Sequence, residues 1–366
     1  MNSGQAIAEH QTNLDFVRAV AVLMVVSSHL AFFFGDIHFG FLEPALFGKL
    51  GVLIFFVHSG IVNMFSIERH VHKYGKYHLF WAFVTRRSFR IYPLSLVIVL
   101  LLFLTHWPAS RYEGFSIVSG QHAHSELVPS LLLIQNFFRF DQILGPLWSL
   151  PYEVQIYCLF PALYLLLCRL SSTKMLVFAW ALLAAVDHVI APHLDRHANV
   201  GQFLVIPDLL GYFLLFLAGL YAYKEMQTSR RVVPFWVLPV LLAFICVVWC
   251  LSYGDHTKWV LVTFCLGAAL PFFKDCKIAP VNWVSGWVAK YSYGIYLLHF
   301  PAIWLAFARC LHSPMVARAG IFVAATFGGS VLVYYAIEKP MIRLGNRAAM
   351  AISRLPAAVA YAWVGQ

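Results

Sequence analysis

The chain has 366 residues, of which 61% are hydrophobic and 11% charged, with Lys and Arg exceeding Asp and Glu by ten. So few charges exclude a soluble domain of this size and point to a polytopic membrane protein. The surplus of positive charge then reads as cytoplasmic loop charge facing anionic headgroups and an anionic substrate, with no nucleic acid implied.

Ten apolar segments are long enough to be read as spans: about 14–34, 49–66, 90–106, 147–168, 175–191, 204–223, 234–251, 258–273, 291–311 and 318–337. The stretch Pro129–Phe138 is too short to span and reads as a re-entrant or interfacial piece of a long outer loop. With the N-terminus inside, 19 of the 26 Lys and Arg residues fall on the inner side and 7 on the outer. That asymmetry places both termini in the cytoplasm, and an even helix count agrees. The expected fold is therefore all-α: a polytopic integral membrane protein of about ten transmembrane helices. Residues 1–347 form one transmembrane domain and 348–366 a cytoplasmic tail. The start of the chain lacks the pattern of a cleavable signal. Seven cysteines lie mostly in apolar segments without a Cys-x-x-Cys pair, and sixteen histidines are scattered without a His-Glu-x-x-His motif. Neither a disulfide framework nor a metal site is expected.

Taken in chain order, the polar residues inside these segments are the candidates for chemistry, because an ionisable group in a membrane is costly to keep there. Arg18 and His29 stand eleven positions apart in the first segment, just over three helical turns, so they share a face and lie roughly 16 Å apart along the axis. The same pair also suits a snorkelling cation and an interhelical hydrogen bond. His58 and Ser59 fall near mid-depth in the second segment, as a cavity lining or as packing. The third opens on Arg86, Arg87 and Arg90, with Arg87 and Arg90 on one face at the inner surface. Guanidinium groups in such a cluster bind phosphate bidentately, although positive-inside anchoring alone also accounts for juxtamembrane arginines. Glu153, about six residues below the outer end of the fourth segment, comes out at the depth of His29. A buried glutamate needs a partner, so Glu153 either orients His29, pairs with an arginine or bridges helices. His299 lies near mid-depth in the ninth segment, again as a cavity lining or as packing. Together these suggest a phosphate-bearing donor entering from the cytoplasm and a reaction at His29, where a neutral imidazole is the commonest general base.

These elements, in their order and spacing, resemble the membrane-bound acyltransferase-3 family over nearly the whole chain. The residues that carry the resemblance begin with Leu14-Asp15-Phe16-Val17-Arg18 and His29. They continue through Gly51-Val52, Phe55-Phe56-Val57-His58-Ser59-Gly60, Arg87-x-x-Arg90 and Tyr92-Pro93. Trp148-Ser149-Leu150 with Glu153 and Tyr157 follows, then Tyr291-Ser292-Tyr293-Gly294-Ile295-Tyr296-Leu297-Leu298-His299, and Glu338-Lys339-Pro340 closes the last helix. The resemblance implies an O-acyltransferase that carries acyl groups, often acetyl from acetyl-CoA, onto carbohydrates of surface or exported glycans. It implies His29 as the essential histidine, Arg18 as its partner, Arg87 and Arg90 as the holders of the CoA phosphates, and a site-shaping role for Glu153 and Tyr157. His58 departs from the family pattern, which has an apolar residue there, and so alters the acceptor or acyl pocket. Some relatives carry a fused SGNH-type hydrolase domain, so transfer that needs one would draw on a separate protein here.

The function expected from all this is a bacterial inner-membrane O-acyltransferase, most simply an O-acetyltransferase, that moves an acyl group from cytoplasmic acyl-CoA to a hydroxyl of a carbohydrate or lipid-linked glycan. The catalytic residues are His29, Arg18 and Glu153. Arg86, Arg87 and Arg90 bind the donor, and His58, Ser59, Tyr157 and His299 line the substrate site. Acetyl-CoA or another acyl-CoA acts as a donor substrate, with no tightly bound cofactor and no metal. The rivals are a glycolipid or lipid transporter or flippase lining its pathway with the same residues, and a sensor or scaffold without chemistry. No internal repeat relates the two halves, which counts against a transporter built from repeats.

Overall fold

A computed structural model gives the fold and describes residues 11–35, 43–105, 124–138, 143–170, 172–190, 206–252 and 256–355. Among these residues the backbone is helical throughout, apart from turns and one isolated parallel bridge between Val233 and Phe273. This follows from the sequence: long Leu, Val, Ala and Phe runs in a medium without water must satisfy every N–H and C=O within the segment, and only a helix does so locally. The helices are α1 (Gln11–Phe33), α2 (Phe47–Tyr74), α3 (Leu79–Thr105), α4 (His124–Leu132) and α5 (Gln135–Phe138). Next come α6 (Leu150–Tyr157), α7 (Phe160–Arg169), α8 (Thr173–Ile190), α9 (Ile206–Met226), α10 (Val237–Leu251) and α11 (His256–Ala269). The chain finishes with α12 (Ala279–Ile303), α13 (Met315–Val323), α14 (Gly329–Val333) and α15 (Lys339–Ser353), with π-helical turns at Trp304–Arg309, Ala324–Gly328 and Tyr334–Glu338.

Among the described residues each of the ten expected segments falls largely on helix, but the helices differ in reach. Among the described residues five stretches are long and apolar enough to cross a membrane: Thr12–Phe33, Pro44–Tyr74, Leu79–Thr105, Leu209–Met226 and Met315–Ser353. A sixth arises if Gly145–Tyr157 and Phe160–Arg169, bent by 49°, form one broken span. Pro161 explains the break, since it has no N–H for the Tyr157 carbonyl and its ring crowds that oxygen. Val237–Leu251 and Lys258–Phe272 are shorter. The protein is thus an all-helical integral membrane protein with five to six candidate spans.

Three boundaries move in ways that matter. The third segment starts at Leu79, two turns before Arg86, so Arg86, Arg87 and Arg90 project from the body of α3 and not from its mouth. The last helix does not close at Glu338-Lys339-Pro340 but runs on to Ser353. The π-helical turn at Tyr334–Glu338 has already shifted the hydrogen-bond register before Pro340 removes a donor. The expected tail from residue 348 is accordingly the end of α15 as far as Ser353, and residues 356–366 lie outside the described set. The Pro129–Phe138 stretch forms α4 and α5, joined through Leu133 in a left-handed conformation (φ 54°).

The chain divides into two compact units. The first comprises Met1–Val62 and Leu170–Phe327, and the second Asn63–Arg169 and Gly328–Gln366. In the first, α1 packs along α12, and α9 packs against α8 and α11. Small residues allow the closest crossings. A Cβ on Gly219 would stand 2.3 Å from the Val57 carbonyl oxygen and 2.9 Å from Gly60 Cα, so α2 and α9 touch backbone to backbone. Gly51 lets α2 approach the Ala21 carbonyl of α1 in the same way. In the second unit α15 packs along α3, with Gly345 seated on Phe89. There, α5 meets α6 through a reciprocal amide pair, Asn136 Nδ2 to Gln155 Oε1 (3.2 Å) and Gln155 Nε2 to Asn136 Oδ1 (2.9 Å).

Candidate active site

In the first unit the face shared by Arg18 and His29 is turned towards α12. Arg18 Nε donates to Ser292 Oγ (2.7 Å), and that hydroxyl passes its own proton to the Ala289 carbonyl (2.9 Å). Further along, His29 Nδ1 lies 2.9 Å from His299 Nε2. Both pairs advance together, from 18 with 292 to 29 with 299, so α1 and α12 run in the same direction. Ser292 and His299 are seven residues apart and therefore share a face of α12, as Arg18 and His29 share one of α1. His29 is partly exposed while His299 is fully buried, leaving His29 as the member of the pair that a ligand can reach. The His29 and His299 rings lie 5.0 Å apart at 30°, and the Phe300 ring meets His29 edge-on at 5.4 Å. The π-helical turn at Trp304–Arg309 follows directly, an irregularity frequent at functional sites.

Phe55 on α2 joins His58 to this group. Its ring lies 5.4 Å from the Arg18 guanidinium and 6.0 Å from the His58 ring. His58 and Ser59 are both buried, and they sit just before the Gly60–Gly219 crossing that brings α2 against α9. Close backbone approach thus holds two polar side chains in the interior of this unit.

In the second unit α3 carries the arginines, and they take different partners. Residues 83 and 87 are one turn apart, and the Arg87 guanidinium stacks over Phe83 (5.3 Å) and over Tyr157 of α6 (5.6 Å). The Tyr157 hydroxyl donates to the Glu153 carboxylate one turn back, and both residues are buried. Glu153 also interacts electrostatically with Arg87, as do Arg86 and Arg90. Arg86 faces the end of α2, where its Nη1 donates to His70 Nδ1 (2.8 Å). That bond fixes the proton of His70 on Nε2. His70 Nε2 and Arg86 Nη2 are both buried and have no hydrogen-bond partner among the described residues. Two buried donors on one hydrogen-bonded pair cost free energy unless an acceptor reaches them.

The structure therefore brings Arg18, His29, His58 and His299 into one unit, and Arg86, Arg87, Arg90, Glu153 and Tyr157 into the other. Sequence reasoning left His299 as a cavity lining or a packing residue and missed that it contacts His29. It also missed Ser292 and His70. The seven-residue spacing of Ser292 and His299 put both on one helix face, but not which helix that face meets. Nothing in the sequence marked His70, because its burial depends on where α2 ends relative to α3.

The class is that of a helical membrane protein whose helices hold His, Arg and Glu groups in hydrogen bonds. Residues 11–335 match the model of the acyltransferase-3 family, described as an acyltransferase domain, and the chain belongs to that family. It is 26% identical over 361 residues to the peptidoglycan O-acetyltransferase OatA of Listeria monocytogenes serovar 1/2a (strain ATCC BAA-679 / EGD-e), covering 91% of this chain and 56% of that protein. It is 30% identical over 184 residues to the acyltransferase MdmB of Streptomyces mycarofaciens, covering 48% and 44%. A third relative is an uncharacterized protein of Aquifex aeolicus (strain VF5), 26% identical over 168 residues, covering 44% and 70%. The chain thus spans about half the length of the two relatives with named activities. No solved structure matches it.

Proposed function

We propose that this protein is a membrane O-acyltransferase that moves an acyl group, acetyl in the simplest case, from cytoplasmic acyl-CoA to a hydroxyl of a cell-surface or exported carbohydrate. The observation that carries the reading is the partly exposed His29, hydrogen-bonded through Nδ1 to a buried partner in a chain of this family. His29 takes the proton of the acceptor hydroxyl as its oxygen attacks the thioester carbonyl. Arg18, anchored by Ser292, steadies the entering donor. Arg87 and Arg90 hold the CoA phosphates, and Arg86 with His70 offers donors that an anionic ligand would satisfy. Glu153 keeps Arg87 and Tyr157 in place, while His58 and Ser59 shape the pocket for the acyl group or the acceptor. The acceptor class is supported by the likeness to a peptidoglycan O-acetyltransferase. The proposal includes ten spans with both termini inside a bacterial inner membrane, and a free acyl-CoA substrate in place of a resident cofactor.

The test uses membranes carrying the wild type, His29→Ala or Arg90→Ala at matched protein levels, with radiolabelled acetyl-CoA and a crude glycan fraction. Wild-type membranes should label the glycan, and His29→Ala should lower the rate by about 10²–10⁴-fold, the usual contribution of a general base. Arg90→Ala should lower labelling by weakening donor binding. Equal labelling by His29→Ala would remove His29 as the base. Absence of label with the wild type would instead favour a glycolipid transporter.

A further inference from the structure

We infer that His299 is a positioning residue that sets the tautomer of His29, so that His29 Nε2 is the nitrogen that receives the acceptor's proton. The inference deepens the proposed function and rests on His29 as the base. His299 Nδ1 lies 3.1 Å from the Ile295 carbonyl oxygen, one turn back on α12. A carbonyl oxygen only accepts, so His299 Nδ1 carries a proton. The ring is fully buried, and a second proton would place an unpaired charge there at a cost of several kcal/mol. His299 Nε2 therefore presents its lone pair. His29 Nδ1, 2.9 Å away, must donate to it, and the Val25 carbonyl one turn back on α1 is a second acceptor for the same ring, so the lone pair of His29 is left on Nε2.

Each link in this series fixes the next. The other tautomer of His299 would set a nitrogen lone pair against the Ile295 oxygen, acceptor against acceptor, inside the protein. Rotation of the His29 ring is opposed by its stacking on His299 and by the edge contact with Phe300. During transfer the acceptor O–H proton passes to His29 Nε2 while the new O–C bond forms and the C–S bond breaks. His29 then returns the proton to the departing thiolate, so CoA leaves as the free thiol. While His29 is an imidazolium, its Nδ1–H bond to His299 Nε2 is charge-assisted and therefore stronger than in the resting state. A neutral imidazole thus does the orienting that a carboxylate does in a Ser-His-Asp triad.

The experiment combines ¹⁵N spectra of the histidine-labelled protein in lipid with kinetics. The difference between wild type and His29→Gln isolates the His29 resonances. A protonated Nδ1 and an unprotonated Nε2 are expected at His29 in the wild type, and the opposite assignment would overturn the inference without any variant of His299. His299→Ala should lower kcat at least about a hundredfold with an acyl-CoA KM within a few-fold of wild type. His299→Gln, whose amide oxygen can accept from His29 Nδ1, should restore most of the turnover. Unchanged kcat in His299→Ala would also overturn the inference. If the His29 tautomer is as stated and is lost in His299→Ala, yet His29→Gln keeps full turnover, the positioning stands and the assignment of His29 as the base falls.

Discussion

Arg87 shows at the scale of one residue why charge alone is a poor guide to what an arginine does. Its guanidinium lies over the rings of Phe83 on its own helix and Tyr157 of α6, and Tyr157 is tied down by Glu153. A planar fork held this way is pre-organised for a phosphate, whereas an ammonium on a flexible stem is not. Arg87→Lys keeps the charge and loses both the stacking and the fork. A charged hydrogen bond contributes about 1.5–3 kcal/mol, so the acyl-CoA KM should rise roughly ten- to hundredfold while kcat at saturating donor changes little. Titrating donor concentration in the labelling assay measures this. An unchanged KM would mean that Arg87 serves the packing of α3 against α6 and not the donor.

At the scale of an element, the glycines say more about the helices than the apolar residues do. Gly219 on α9 meets the Val57 carbonyl and Gly60 Cα of α2, and neither is a flexible side-chain tip that can swing away. Gly219→Ala should force the two helices apart and destabilise the protein by about 1–3 kcal/mol, the usual cost of overpacking. Gly320 on α13 has nothing within 4 Å of the position of an added Cβ, so Gly320→Ala should be neutral or slightly stabilising through helix propensity. Thermal unfolding in one detergent compares the two, and equal midpoints would refute the crossing. This contrast also marks what the sequence made legible. The apolar runs located helix at all ten expected segments, and the spacing of Arg18 and His29 put both on one face. Hydropathy cannot say where such a helix starts once polar residues are buried within it, so the first two turns of α3 and the last two of α2 went unread. His70 went unread with them. The partners Ser292 and His299 could not be assigned to Arg18 and His29 because the sequence does not state that α1 and α12 are neighbours.

At the scale of the whole molecule, five to six stretches among the described residues are long and apolar enough to cross a membrane, and the proposed ten spans need further crossings from shorter or less apolar helices. The shorter helices Val237–Leu251 and Lys258–Phe272 decide the count, because length and composition alone do not make either a span. The exposed turn at Gln227 and Thr228 precedes the first of them, and the turn at Leu311–Ser313 separates α12 from α13. If both short helices cross, together with the broken pair, α8 and α12, the positive-inside count is satisfied, and Thr228 is cytoplasmic while His312 is external. Their short length is then met by local thinning of the bilayer or by tilt of neighbouring helices, at a cost of fractions of a kcal/mol per Å of mismatch. Reporter fusions truncated after Thr228 and after His312 test this directly: a periplasm-active phosphatase should be silent at the first site and active at the second. The same signal at both sites would reduce the number of crossings between them from odd to even. Arg18 and His29 would then lose the cytoplasmic-to-external depth order on which donor entry and acceptor attack from opposite sides depend.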